Sequence, residues 1–222
     1  MGEPLTHPLL PDFIRYANGI GFHSAVTTNG TLLAKRRDEL LAVPLYKLNL
    51  SVHSFEQGSE ADFLRYLTEI SDFADAASST GTIIVLRLWN RGFDEGKNEA
   101  ILAFLQQRFS DGEWAENTRG VRIRNKLHIE WGDRFAWPDR EAEEGDGEIF
   151  CYALDDHFGI LCDGSVVPCC LDAEGELCLG NVLDTPLSEI LSSPRAKAIR
   201  EGFARRCAVE GLCRRCGYAK KF

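Results

Sequence analysis

The first 135 residues alternate between stretches with the period of a strand and stretches with the period of a helix. "FHSAVTT" reads as a strand ending at the turn dipeptide Asn29-Gly30, and a helical run follows from Leu32 to Ala42. In "LYKLNLSVHS", apolar Tyr46, Leu48, Leu50 and Val52 alternate with polar Lys47, Asn49, Ser51 and His53, the two-residue period of a strand. A long helix comes next, in which Phe63, Leu67, Ile70, Ala74 and Ala77 recur at spacings of four and three. Gly81 ends it, "TIIVLRLW" reads as a buried strand, and Asn98 to Phe109 carries Ile101, Leu102, Leu105 and Phe109 on one helical face. "KLHIEW" is a further strand candidate. This alternation predicts an α/β fold with a parallel sheet and helical crossovers. Chemistry in such sheets gathers at the carboxyl ends of the strands, which here read Thr28-Asn29-Gly30, Ser51-Val52-His53-Ser54 and Arg87-Leu88-Trp89-Asn90. Taken alone, Asn29-Gly30 is turn chemistry and His53 a hydrogen-bonded histidine.

After residue 139 the pattern changes. "REAEEGDGE", Arg140 to Glu148, is acidic and contains glycine, so it is expected to be a solvated linker. The predicted organisation is therefore a sheet domain over 1–139, a linker over 140–148 and a small domain over 149–222. An apolar fraction of 44% with 13 phenylalanines supplies a real core, which excludes wholesale disorder. A net charge of −9, with basic residues scattered among acidic ones, argues against a nucleic-acid partner. The closing "RRCGYAKKF" reads as a solvated basic tail. The first residues show no charged region followed by an apolar one, and no apolar run approaches bilayer length. The expectation is a cytoplasmic protein with no membrane partner.

That expectation makes the cysteines informative, because clustered thiols in a reducing compartment bind metal more often than they form disulfides. Residues 1–150 contain none, and residues 151–222 hold all eight. Asp163-Gly164, between "FGILC" and "SVVPC", predicts a hairpin with a two-residue type I′ turn. In that register Cys162 faces Ser165, Ile160 faces Val167 and Phe158 faces Cys169. Cys162 and Cys169 would lie roughly 13 Å apart at about 3.3 Å per residue, too far for a disulfide and awkward for one small metal site. Cys169 and Cys170 are neighbours pointing to opposite faces of an extended chain, so only one should join a given site. Cys213-Arg-Arg-Cys216 can present two thiolates to one metal centre, or serve as a redox dithiol if a thioredoxin-like context surrounds it. Zinc takes four ligands, often from two such turns, and only one is present. An iron–sulfur cluster held by four thiolates accommodates widely spaced ligands more readily. Thr185-Pro186 and Ser193-Pro194 each place a capping hydroxyl before a proline, predicting two short helices between these elements.

Cys151, twelve residues, Gly164, four residues, Cys169 resembles the opening of the SPASM/twitch domains appended to radical S-adenosylmethionine (SAM) enzymes. "GNVLDTPLSEILSSPRAKAIREGF" followed by "CRRC" continues that pattern. The denser cysteine run of a full two-cluster SPASM domain is absent, so the resemblance is to the shorter twitch form with one auxiliary [4Fe–4S] cluster. It implies Cys151, Cys169, Cys213 and Cys216 as the ligands. "MGEPLTHP" is similar to the Gly-Gly-Glu-Pro segment after the second strand of the radical SAM barrel, with Met1 in place of the first glycine. "TTNGTLL", "LNLSVHS" and "IIVLRLWN" are similar to the ends of its third, fourth and fifth strands. The resemblance implies an incomplete radical SAM-type partial (β/α) barrel. Backbone at Gly2 and Glu3 would face the SAM amino group, and Ser51 and Arg87 its carboxylate and ribose. The family's Cys-x-x-x-Cys-x-x-Cys loop has no counterpart in residues 1–150. Because the SAM-facing segments read as intact, truncation is expected rather than a degenerate catalytic half.

The intact parent implied by the resemblance holds SAM on a second [4Fe–4S] cluster and cleaves it reductively to a 5′-deoxyadenosyl radical. That radical abstracts hydrogen from a small-molecule or peptide substrate, with an electron donor such as a flavodoxin or ferredoxin. The auxiliary cluster would take up or relay the substrate electron, and this chain alone is expected to be inactive. The rival reading is a non-catalytic binding module with a structural zinc site made of four cysteines. Zinc leaves a protein colourless, whereas an iron–sulfur cluster makes it brown.

Overall fold

Leu48, Leu50, Ile84, Leu86 and Leu88, the aliphatic positions of the two central strand patterns, are fully buried in the computed structural model. The structure describes residues 2–55 and 58–219. It comprises two compact units, Met1–Arg134 and Phe135–Phe222. In the first, a short 3-10 turn (Pro4–Thr6) leads into α1 (Leu10–Gly19), β1 (Ala25–Thr28), α2 (Leu33–Leu41) and β2 (Lys47–Ser51). After a second 3-10 turn (Val52–Ser54) come α3 (Glu60–Ser79), β3 (Ile83–Arg91), α4 (Lys97–Arg108), β4 (Ala115–Asn117), β5 (Gly120–Arg124) and β6 (Leu127–Asp133).

The six strands form one sheet in the order β1-β2-β3-β6-β5-β4. The first four are mutually parallel, joined by helical crossovers as the sequence pattern predicts; β5 and β4 continue the sheet antiparallel. These two strands are not legible in the hydrophobic period. At Gly120 the backbones approach so closely that a Cβ would stand 2.1 Å from the Ile129 carbonyl oxygen. The long helix begins with a capping box, Ser59 accepting from the Asp62 amide while Asp62 accepts from the Ser59 amide. Its buried positions include Leu67, Ile70, Ala74 and Ala77, four of the five expected; Phe63 packs at the margin.

The two faces of the parallel strands differ. Val26, Leu48, Leu50, Ile84, Leu86, Leu88, Leu127 and Ile129 join one apolar core with helical residues such as Leu33, Ile70 and Leu105. The alternate positions carry Thr27, Asn49, Val85 and His128 and, two residues on, Ser51, Arg87 and Glu130, aligned in register. A flat parallel sheet covered by helices would be apolar on both faces; here the second face is polar and partly open. Asn49 lies on it yet is only 6% exposed, whereas Tyr46, expected inside, falls before β2 and is 45% exposed.

The second unit contains β7 (Gly159–Ile160), β8 (Ser165–Val167), β9 (Gly180–Asn181), α5 (Leu187–Leu191), α6 (Pro194–Ala204) and α7 (Gly211–Arg214). The hairpin forms, but its register is one residue from the expected one: Gly159 pairs with Val167 and Ile160 with Val166. The loop is Cys162-Asp163-Gly164, closed by Leu161 N to Ser165 O at 2.8 Å and Gly164 N to Leu161 O at 3.0 Å. Only Gly164 has positive φ, +87°, so this is a three-residue loop and not a type I′ turn. The Asp163 carboxylate accepts from the Ser165 amide and hydroxyl, both at 3.0 Å, while Asn181 Nδ2 donates to the Asp163 carbonyl at 2.9 Å. Those bonds hold Asp163 out of the left-handed region that a type I′ turn would require. Ser193 caps α6 through the Ala196 amide with Pro194 in the first turn, as predicted. Thr185 does not cap α5; that position belongs to Pro186. Among the described residues no helix is long and apolar enough to cross a membrane.

Candidate metal centre

The structure sorts the eight thiols into two sets of four. Cys216 is buried, Cys151, Cys169 and Cys213 are half-buried, and all four belong to the apolar cluster of the second unit. Cys162, Cys170, Cys178 and Cys207 are exposed, and none of the eight is in a disulfide. Local backbone explains each placement. Cys151 precedes a turn in which Asp155 N donates to Tyr152 O at 3.0 Å and Leu154 takes a positive φ of 63°. Cys169 opens the turn after β8, closed by Asp172 N to Cys169 O at 3.3 Å. Asp172 is 3% exposed and accepts from the amides of Glu176 and Leu177 at 2.9 and 2.8 Å, which pins the loop beyond Cys169. Cys169 and Cys170 part to inside and outside as expected, through this turn rather than through strand alternation. Cys213 lies on α7, and Cys216 follows one turn later with its amide donating to the Cys213 carbonyl at 3.2 Å.

Burial pushes the Cys151 thiol up, the Cys169 thiol up to about 11 and the Cys213 thiol higher still. The charges of Cys169, Cys151 and Cys216 add to the rise at Cys213, and those of neighbouring Cys170 and then Cys151 add to the rise at Cys169. These thiols thus share one electrostatic site, in which thiolate repels thiolate until a cation joins them. Against that trend, the backbone amides of Ala153 and Tyr152 face Cys151, and those of Leu171 and Asp172 face Cys169. An all-sulfur donor set in an apolar shell, with amide N–H groups directed at sulfur, fits the needs of an iron–sulfur cluster. Among the described residues no three His, Cys, Asp or Glu side chains are arranged to hold a single metal ion.

Residues 140–148 do not form the free linker expected of an acidic, glycine-containing run. Glu144 pairs with both Arg214 and Arg215, the residues between Cys213 and Cys216. Gly145 N donates to Arg214 O at 3.1 Å, and Arg215 Nε to Ala142 O at 3.0 Å. Gly147, at φ +84°, accepts from Ala208 N at 2.9 Å, and Glu148 forms a bridge with Cys207. Earlier in the same unit, Phe135 meets Tyr218 edge-on at 5.0 Å. Residues 135–149 are therefore a strap bound to the Cys213–Cys216 turn. The expected "basic tail" supplies its partners in Arg214 and Arg215; Lys220 and Lys221 lie outside the described residues. The sequence signal that could have exposed the strap is charge complementarity, two arginines inside the Cys-x-x-Cys turn matched by an acidic run upstream.

In the first unit, the residues expected to face SAM occupy the carboxyl end of the sheet. Ser51 and Arg87 are register partners on β2 and β3. The Arg87 guanidinium stacks 4.3 Å from the centre of the Trp89 ring. His53 Nδ1 lies 3.0 Å from the Arg87 carbonyl oxygen and 3.3 Å from the Trp89 amide, the hydrogen-bonded histidine the sequence suggests. Glu3 turns out to be anchored: its carboxylate accepts from Thr28 Oγ1 at 2.6 Å, Asn29 N at 2.9 Å and Leu5 N at 2.9 Å. It thereby ties the N-terminal segment to the end of β1, and exposed Gly2 stands beside it. Met1 lies outside the described residues. Two polar atoms on this face, Asn49 Oδ1 and Trp89 Nε1, are buried without a hydrogen-bond partner. Trp89 falls in a strand end that the sequence marks, whereas Asn49 lies within its strand.

Comparison with known proteins bears on both units. Residues 151–217 match SPASM, an iron-sulfur cluster-binding domain. That span opens on Cys151 and contains all eight cysteines. The chain is also similar to a GTP 3',8-cyclase from Chlorobaculum tepidum, 28% identical over 184 residues, covering 72% of this chain and 53% of the relative. The chain thus spans about half the length of the curated relative it matches.

Proposed function

Taking the chain as a SPASM-bearing relative of the radical SAM proteins, we propose that its second unit holds one auxiliary [4Fe–4S] cluster on Cys151, Cys169, Cys213 and Cys216. We read the first unit as a wall of a partial (β/α) barrel whose polar face binds SAM. The observation that carries the proposal is the division of the thiols, four gathered in one apolar cluster and four left exposed. When bound, such a cluster supplies one-electron redox chemistry. The protein's part is to set its environment: Tyr152, Ala153, Leu171 and Asp172 direct amide N–H groups at sulfur, and the surrounding apolar side chains exclude water. On the sheet, Arg87 offers a cation stacked on Trp89, with Ser51 beside it in register, while Glu3 fixes the N-terminal segment at the end of β1.

The whole protein, on this reading, cleaves SAM reductively for hydrogen abstraction from a small-molecule or peptide substrate. It draws its electron from a flavodoxin- or ferredoxin-type donor. Residues 1–150 contain no cysteine, so these 222 residues alone lack thiols for the cluster that would bind SAM. The alternative is a non-catalytic module in which the same four thiols hold structural zinc, a colourless centre without redox chemistry.

Anaerobic purification followed by visible absorption and metal analysis tests this directly. We expect a brown protein with about four irons per chain. Cys151→Ser should lose iron and Cys162→Ser should keep it. A colourless zinc protein, or full iron in the Cys151→Ser protein, would overturn the assignment. Supplied with SAM and dithionite, the 222-residue chain should yield no 5′-deoxyadenosine.

A further inference from the structure

We propose that Glu144 positions the Cys213–Cys216 turn and so slows loss of the metal centre that this turn ligates. The inference rests on the ligand set proposed above and adds a residue that sulfur chemistry alone does not select. Arg214 and Arg215 are the two residues enclosed by the Cys-x-x-Cys turn, so their orientation and that of the two thiols are set by the same few backbone angles. The Glu144 carboxylate takes one arginine on each oxygen, Oε1 from Arg214 Nε and Oε2 from Arg215 Nη2, the latter at 2.7 Å.

Main-chain bonds hold the acid in place from both sides. Arg215 Nε donates to Ala142 O at 3.0 Å, two residues before Glu144, and Gly145 N donates to Arg214 O at 3.1 Å, one residue after it. Each arginine also reaches back to the chain just before Cys213. Arg214 Nη1 donates to Ala208 O at 2.9 Å, and Arg215 Nη1 to Gly211 O at 3.0 Å. The two guanidiniums together hold Glu144 well below the usual carboxylate range, with the Arg214 hydrogen bond the largest cause. A lone exposed ion pair contributes little. This acid instead joins two cations and two chain segments, about the geometry in which networks matter.

The test compares Glu144→Gln with Glu143→Gln, the same loss of charge one residue away at an exposed position. The half-time of iron loss to a chelator is read on anaerobically purified protein. Glu144→Gln should lose iron several-fold faster, with Glu143→Gln close to wild type. Glu144→Asp, which keeps the charge on a shorter arm, should recover part of the half-time, a rescue that loss of side-chain bulk alone would not give. Because the carboxylate is partly solvated, wild-type iron loss should also quicken as salt is raised. Equal behaviour of the Glu144→Gln and Glu143→Gln proteins, or salt-independent loss in wild type, would overturn the proposal. Cys213→Ser run in parallel separates the two readings: retention of iron there removes the ligand assignment itself, whereas loss there with a silent Glu144→Gln removes only the role of Glu144.

Discussion

The two units solve the problem of burial in different ways. The first fills its interior with large aliphatic and aromatic side chains, among them Leu48, Ile84, Leu86, Phe73 and Phe109, none more than 2% exposed. Its polar candidates lie on the opposite face and at the strand ends, so fold and site are separable. The second has strands of two or three residues and a smaller core, in which four alanines and Cys216 stand beside Ile149, Leu154, Ile199 and Phe203. There the residues proposed to bind metal are part of the core or packed against it. In a unit of that kind the metal contributes to folding as well as to chemistry.

The largest expected effect breaks the two units apart. Stripping iron by oxidation and chelation should expose the second unit to proteolysis between residues 150 and 216 while the first unit survives as a resistant fragment. Limited proteolysis followed by mass spectrometry reads this directly. A second unit that stays equally resistant without metal would mean its small core is self-sufficient and the contrast is wrong. The converse probe is Leu86→Ala at the centre of the sheet core. It should cost the first unit about 2–5 kcal/mol by loss of transfer free energy and creation of a cavity. Denaturant unfolding followed by circular dichroism measures that loss, and iron per folded chain should stay unchanged.

How much of this can be read from the sequence follows the same division. In the first unit, burial of one face dictates residue type, so Leu48, Leu50, Ile84 and Leu86 announce their strands. The segments that escape, β4 and β5, are rich in polar and charged residues, "AEN" and "GVRIR", because strand pairing holds most of their positions and Ile123 is their one residue in the buried apolar core. In the second unit local signals are ambiguous. Asp163-Gly164 reads equally as a two-residue turn or as the end of a three-residue loop. The choice is made by Asn181, a contact 18 residues away, and by the Asp163 bonds to Ser165. The acidic strap is opaque for the same reason, since Arg214 lies 70 residues beyond Glu144. The quartet of ligands comes from resemblance; the sorting of thiols by burial is a tertiary property that spacing does not carry.

A smaller effect sharpens the account of the second unit. Gly164 sits at φ +87°, and a Cβ there would stand 2.6 Å from Asn181 Oδ1. Gly164→Val therefore combines left-handed strain of about 1–3 kcal/mol with displacement of the side chain that fixes the hairpin register. Since β8 leads into Cys169, the variant should bind iron more weakly although no ligand has changed. Iron loss to a chelator at the wild-type rate would mean that the hairpin does not position Cys169.

The smallest effect concerns the polar face of the first unit. His128 lies on β6 at the position aligned with Val85, and burial holds its imidazole below the usual value of 6.5, with the charges of Arg122 and Lys47 adding to the shift. The folded unit thus prefers the neutral ring. The unfolded chain binds a proton at higher pH than the folded one, so folding stability rises with pH across the window just below 6.5. Stability from this group is complete above that value and is lost as pH falls through the depressed folded-state pKa. Thermal unfolding of the first unit at pH 7.5 and at pH 5.5, values about one unit either side of an ordinary histidine, should show a shallow acid-side loss in wild type. His128→Gln cannot titrate and should flatten that part of the difference, leaving the carboxylate-driven fall at lower pH in place. Identical pH dependence in the two proteins would place the ring in solvent rather than against the charged face, and would weaken the case that this face is built to receive a polar ligand.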